Sequence, residues 1–128
     1  MSGNLHQKYI RGELLNVNCS SRHVLKRLTG RWSVLVLLAL KQDVLRFSEL
    51  RRRIGGVSER MLSQTLRNME QDGFIARKAY DVVPPHVEYW LTPLGHEAEQ
   101  KLIGLADWLE DNVQRIQQNR EEFDQRRE

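Results

Sequence analysis

The glycine pair Gly55-Gly56 constrains this chain more than any other feature, because amphipathic segments stand on both sides of it. Two adjacent glycines close a tight turn between helices at low steric cost. Upstream, Phe47 leads into a short segment with Leu50 and Ile54 at core spacing and Ser48 as N-cap candidate. Downstream, Ser58 is a good N-cap, whose hydroxyl can accept from an orphan amide near the helix start. Met61, Leu62, Leu66 and Met69 then recur at steps of one, four and three, the mark of one buried stripe on a helix. The opposite face carries Arg60, Ser63, Gln64, Arg67 and Asn68, side chains of the types that hydrogen-bond base edges and phosphates. Gly73 falls where a helix C-terminus takes a left-handed residue.

After Gly73 the period changes. Phe74–Tyr80 and Val87–Thr92 are rich in β-branched and aromatic residues and flank a loop with Pro84-Pro85, the pattern of a two-stranded hairpin. A helix-turn-helix followed by such a hairpin is a winged helix-turn-helix, mainly α with a small β-hairpin wing. Leu45-Arg46-Phe47 can add a short third strand to the wing. Ahead of this unit, Ser20 or Ser21 caps a first helix that Gly30 ends, and Trp32 to about Lys41 is apolar on nearly every side, as a core helix should be. Behind it, Thr92-Pro93 is a strong helix start, with threonine as cap and proline at the first helical position. The expected organisation is an N-terminal arm over 1–18, ordered against a partner subunit, and a winged helix-turn-helix over 19–92. A C-terminal dimerisation helix spans 93–117, and the polar segment 118–128 is expected to fray.

That last helix carries more apolar surface than one small domain can cover. Leu102, Leu105, Trp108, Leu109, Val113 and Ile116 would form a large exposed patch on a monomer. A two-fold partner that buries the same stripe removes it, so an isologous homodimer is expected.

The formal net charge of +3 conceals an asymmetry. Residues 22–78 hold thirteen Lys and Arg against five Asp and Glu, whereas residues 79–128 hold five against eleven. The basic excess thus coincides with the helix-turn-helix, which suits a phosphate-bearing partner. The longest apolar run, Val34–Leu40, is too short to cross a bilayer, and no charged region followed by an apolar stretch opens the chain. A cytoplasmic protein with no membrane contact is expected. His6, His23, His86 and His96 lack ligand-like spacing, and a single cysteine, Cys19, gives no disulfide framework and no zinc set. No Gly-rich phosphate loop and no Ser/His/Asp set is recognisable, so neither a cofactor nor an enzymatic reaction is expected.

The chain resembles the HxlR family of bacterial winged helix-turn-helix transcriptional regulators. The resemblance rests on Cys19 before a helix, Gly30-Arg31-Trp32 leading into Leu35–Leu38, Arg46–Leu50, Val57–Leu62, Leu66–Ile75, Val83–Thr92 and Leu94-Gly95. It covers roughly residues 19–112 in order, and its wing signature of proline pair, Val-Glu-Tyr and Leu-Thr is more specific than a helix-turn-helix alone. It implies a homodimer built from N- and C-terminal helices, with both recognition helices in successive major grooves of double-stranded DNA. Family members often carry Cys-Pro, and several use that cysteine as a thiol sensor. Here Ser20-Ser21 follow Cys19, which keeps its place without its proline neighbour.

The DNA-binding candidates are accordingly Arg46, Arg51, Ser58, Arg60, Ser63, Gln64 and Arg67, with Arg77, Lys78 and His86 in the wing. Arginine can bind guanine bidentately and glutamine can read adenine, while Ser58 at a helix N-terminus suits phosphate. The plainer reading of each is a solvated polar face. Cys19 stands near Arg22, His23 and Lys26 at a helix start, a setting that suits a reactive redox-sensor thiol. An inert, half-buried cysteine fits the same position. A small-molecule effector between the DNA-binding domain and the dimer helices is a further candidate partner. A winged-helix module for protein–protein contacts, without specific DNA binding, is the alternative to a regulator.

Overall fold

A computed structural model describes residues 14–127. Its elements in chain order are α1 (Ser20–Leu28), α2 (Arg31–Leu40), β1 (Leu45–Arg46), α3 (Phe47–Ile54), α4 (Glu59–Gln71), β2 (Ile75–Tyr80), β3 (His86–Leu91) and α5 (Pro93–Arg127). The N-terminal arm expected over residues 1–18 lies largely outside the described residues.

Helix α2 is the centre of the domain because its sequence offers apolar side chains in every direction. Val36, Leu37 and Leu40 are fully buried and meet Leu50 of α3, Leu62 and Leu66 of α4 and Ile75 of β2. The three strands pair antiparallel in the order β1-β3-β2, and β3 sets Leu45 opposite Tyr89 and Arg46 opposite Glu88. The short third strand expected near Leu45 is therefore present, and it ties the entrance of α3 to the wing.

Helix ends depart from expectation where backbone or another side chain does the capping. Cys19, rather than Ser20 or Ser21, is the N-cap of α1; both serines lie inside the first turn, and the Cys19 carbonyl accepts from Arg22 N–H at 3.1 Å and His23 N–H at 3.3 Å. Helix α3 begins at Phe47, so Ser48 is too far in to cap it; instead Glu49 accepts from the Arg46 N–H at 2.9 Å. In α4 the buried stripe is Leu62, Thr65, Leu66 and Met69. Met61 stands at its edge and is 42% exposed, while Thr65 is only 8% exposed.

Besides its packing on the core through Ala98 and Leu102, two joints hold the start of α5 to the rest. The Thr92 hydroxyl donates to Gly73 O at 2.5 Å and accepts from Gly95 N–H at 3.1 Å, so one side chain caps α5 and ties it to the end of α4. Replacing Thr92 with valine keeps the shape and removes both bonds. Chemical denaturation should show a loss of about 1–2 kcal/mol, as for other cap deletions; an unchanged midpoint would mean that the cap contributes nothing. Gly95 itself is buried where α5 crosses the backbone of Phe74. Beyond the domain α5 continues as helix past Gln117 to Arg127. Local pairs support the extension, with Gln118 Nε2 donating to Glu122 at 3.3 Å and the Arg127 guanidinium 5.6 Å from the Phe123 ring.

Candidate nucleic-acid interface

Helix α4 is aimed from its N-terminus. Gly55 and Gly56 have φ of 71° and 80°, values that side chains rarely adopt, and they reverse the chain between α3 and α4. The Arg51 Nε donates to Val57 O at 3.2 Å and holds that turn, and Ser58 Oγ accepts from Met61 N–H at 3.0 Å. With Leu62, Thr65, Leu66 and Met69 buried, Arg60, Ser63, Gln64 and Arg67 are exposed. Their steps of three, one and three put them on one helix face. The core fixes the helix, and the polar row looks outward.

Beside the α4 N-terminus lies an open cleft of about 770 Å³, lined by Ser48, Arg51, Arg52, Gly56, Val57 and Ser58 among others. Arg52 was not among the sequence candidates; a run of three arginines does not reveal which of them faces the cleft. Arg53 is used inside the domain, donating to Ala39 O at 2.9 Å and to Asp43 at 2.7 Å. Arg51 lines the cleft while holding the turn, and so combines two tasks.

In the wing, Arg77 and Lys78 are both exposed on β2, but successive strand residues point to opposite faces. Across the sheet the register places Lys78 and Arg46 on either side of Glu88, a row of alternating charge. His86 is engaged within the wing: its ring stacks on Tyr80 at 4.7 Å and its Nε2 lies 3.8 Å from Glu88. Lys78 Nζ sits 5.0 Å from the Tyr80 ring centroid. A hydrogen bond to the Glu88 carboxylate raises the Tyr80 hydroxyl above its ordinary pKa. The structure thus gathers Ser58, Arg60, Ser63, Gln64 and Arg67 on α4 with Arg51 beside them, and sets Arg46, Arg77, Lys78 and His86 apart on the sheet.

On α5 the candidate stripe divides. Leu102 is half-buried against the domain's own core, whereas Leu105, Trp108, Leu109 and Val113 are exposed, Trp108 by 54%. Ile116 is half-buried, and exposed Phe123 lies seven residues beyond it. Cys19 is buried at the N-cap of α1. Among the described residues no group of His, Cys, Asp and Glu is placed to hold a metal ion, and no helix is long and apolar enough to cross a membrane.

Comparison with known proteins agrees with this geometry. The HxlR-like helix-turn-helix family matches residues 27–117. The HTH-type transcriptional regulator YtfH of Escherichia coli strain K12 is 54% identical over 118 residues, 92% of this chain and 94% of its own. The solved structure of the transcriptional regulator ytfH of Salmonella typhimurium is similar with a TM-score of 0.78 at 56% identity, covering 81% of this chain and 93% of that one. The redox regulator HypR in its reduced form is similar with a TM-score of 0.70 at 32% identity, over 76% of this chain and 96% of its own. These likenesses favour a DNA-binding regulator over the protein-interaction module. With a family match across most of its length and a relative this similar, the chain belongs to the HxlR-like helix-turn-helix family of transcriptional regulators.

Proposed function

We propose that the protein is a homodimer that regulates transcription in the cytoplasm by occupying specific promoter DNA, with no catalytic step of its own. The observation that carries this is the row Arg60, Ser63, Gln64 and Arg67, exposed on one face of a helix whose other face is locked into the core. Such a helix can enter a major groove without giving up any packing. Arg60 and Gln64 are assigned to base edges and Ser63 and Arg67 to the groove walls. Ser58, Arg51 and Arg52 around the cleft suit a phosphate, where the α4 N-terminus adds its dipole. Arg46, Arg77 and Lys78 suit flanking backbone, and the internal engagement of His86 makes it the weakest member of the set. Two copies joined through Leu105, Trp108, Leu109, Val113 and Ile116 of α5 would present two such helices to two half-sites.

The test is a titration of labelled DNA from upstream of the coding sequence against a scrambled fragment, at two salt concentrations. Tighter binding to the native fragment, falling steeply with salt, is expected. Equal binding to both fragments, followed by failure of a random-sequence selection, would overturn the reading. In the Arg60→Ala and Gln64→Ala variants discrimination should fall by roughly 1–3 kcal/mol each. Unchanged sequence preference removes them from the base-reading set.

An inducing signal acts in this reading by changing the angle or spacing of the two recognition helices, through Cys19 or through an effector between domain and dimer helices. The position of Cys19 at the start of α1 and the likeness to HypR support the thiol route. Intact mass after mild oxidant, read beside DNA binding, tests it. A Cys19 that stays unmodified while binding is unchanged ends the thiol route.

A further inference from the structure

Helix α1 has no buried residue of its own, yet it links residues 15–19 to the recognition helix. At its start, Cys19 N–H donates to Asn16 O at 3.1 Å and Arg22 donates to Leu15 O at 2.9 Å, so residues 15–19 are tied to the helix. At its far end, Arg27 reaches Asp72 with both prongs, Nε to Oδ2 at 2.7 Å and Nη2 to Oδ1 at 2.9 Å. Asp72 is the C-cap of α4, its own N–H donating to Asn68 O at 3.0 Å. Among the described residues this is the one ion pair that joins α1 to another element. Packing beneath it is incomplete, since a cavity of about 50 Å³ lies between Arg27, Ser33, Thr65, Asn68 and Asp72. The aligned fork is the surface geometry in which such a pair does fix its partners, whereas single-pronged exposed pairs contribute little.

We propose that Arg27 is a positioning residue for operator reading. Through Asp72 it locks the C-terminal end of the recognition helix to α1, so that residues 15–19, α1 and α4 turn as one body. The glycine turn aims the front of α4, and the Arg27–Asp72 fork aims its rear. Neither Arg27 nor Asp72 contacts DNA. This rests on the reading that the outer face of α4 reads bases, but its first test does not.

In the full chain, amide hydrogen exchange should be about fivefold faster at Asn68–Gly73 in Arg27→Ala than in the native protein, with β2 and β3 amides unchanged. Arg27→Lys keeps the charge but not the fork and should fall between the two. Unchanged exchange at Asn68–Gly73 overturns the proposal whether or not DNA binds, and so does acceleration spread evenly over the strands, which would report general loosening. On a selected DNA site, Arg27→Ala and Asp72→Asn should each lose discrimination against scrambled DNA several-fold, with the double variant no worse than either. The salt slope should stay as it is. Intact discrimination with a slope shallower by roughly one unit would make Arg27 a phosphate contact and overturn the proposal. A native protein without discrimination would count against the proposed function and leave the exchange result to decide this one.

Discussion

A Trp108→Glu variant is expected to sediment as a folded monomer and to bind promoter DNA roughly a hundredfold more weakly than the native protein, since linking two half-site contacts gains about two orders of magnitude or more. Trp108 is 54% exposed in the protomer, so a glutamate there costs the fold little. In a two-fold interface each Trp108 would be counted twice, and a large aromatic near the centre of a patch is the residue type that most often dominates binding. Leu105, Leu109 and Val113 flank it on the same exposed stretch of helix. A charge introduced twice among them, facing its own copy, adds repulsion to lost burial. Analytical ultracentrifugation reads the first half of the result, and the DNA titration reads the second. A variant that remains dimeric would place the interface elsewhere.

Gly95→Ala is expected to destabilise the protein by about 3 kcal/mol, the upper end of the usual cost of overpacking. An added Cβ would lie 1.9 Å from Phe74 O, 3.0 Å from Phe74 C and 3.4 Å from Leu91 Cβ. The closest neighbours are backbone, which cannot rotate away as a side-chain tip would. The Phe74 carbonyl is moreover held by the Thr92 N–H at 3.1 Å, so moving it breaks the junction between wing and α5. Guanidinium denaturation gives the number. A loss below about 0.5 kcal/mol, the range of ordinary surface substitutions, would show that the crossing relaxes without cost.

Period and punctuation made much of this architecture readable in advance. Gly55-Gly56, Ser58, Gly73 and Thr92-Pro93 each dictate a local backbone event, and each event occurs within a residue or so of its expected place. The α4 face was readable for the same reason: a helix period sorts residues into inside and outside. What stayed hidden depends on which partner each side chain meets, and residue period does not show that. His86 reads as a wing cation, and only the hairpin register stacks it on Tyr80. Three consecutive arginines look alike, yet Arg53 binds Ala39 O while Arg51 binds Val57 O. Glu99, between Ala98 and Leu102, has no place in the sequence pattern, yet it is buried and its Oε2 meets no hydrogen-bond donor among the described residues. Thr65 goes inward although its hydroxyl suggests the opposite. The continuation of α5 past Gln117 was missed because its residues form pairs along the helix instead of an apolar stripe.

Helix α5 has a bearing on operator grammar. It runs without a break from the crossing at Gly95 through Trp108 to Arg127. Each residue added between Gly95 and Trp108 would therefore advance the dimer contact by about 1.5 Å and swing it by about 100°. In the dimer proposed here the distance between half-sites is thus written in a rigid ruler, while the identity of the bases is written on α4. The two can drift independently. Substitutions on α4 would give a regulator new words at the old spacing. Insertions in α5 that restore the helical phase would give it the old words at a new spacing.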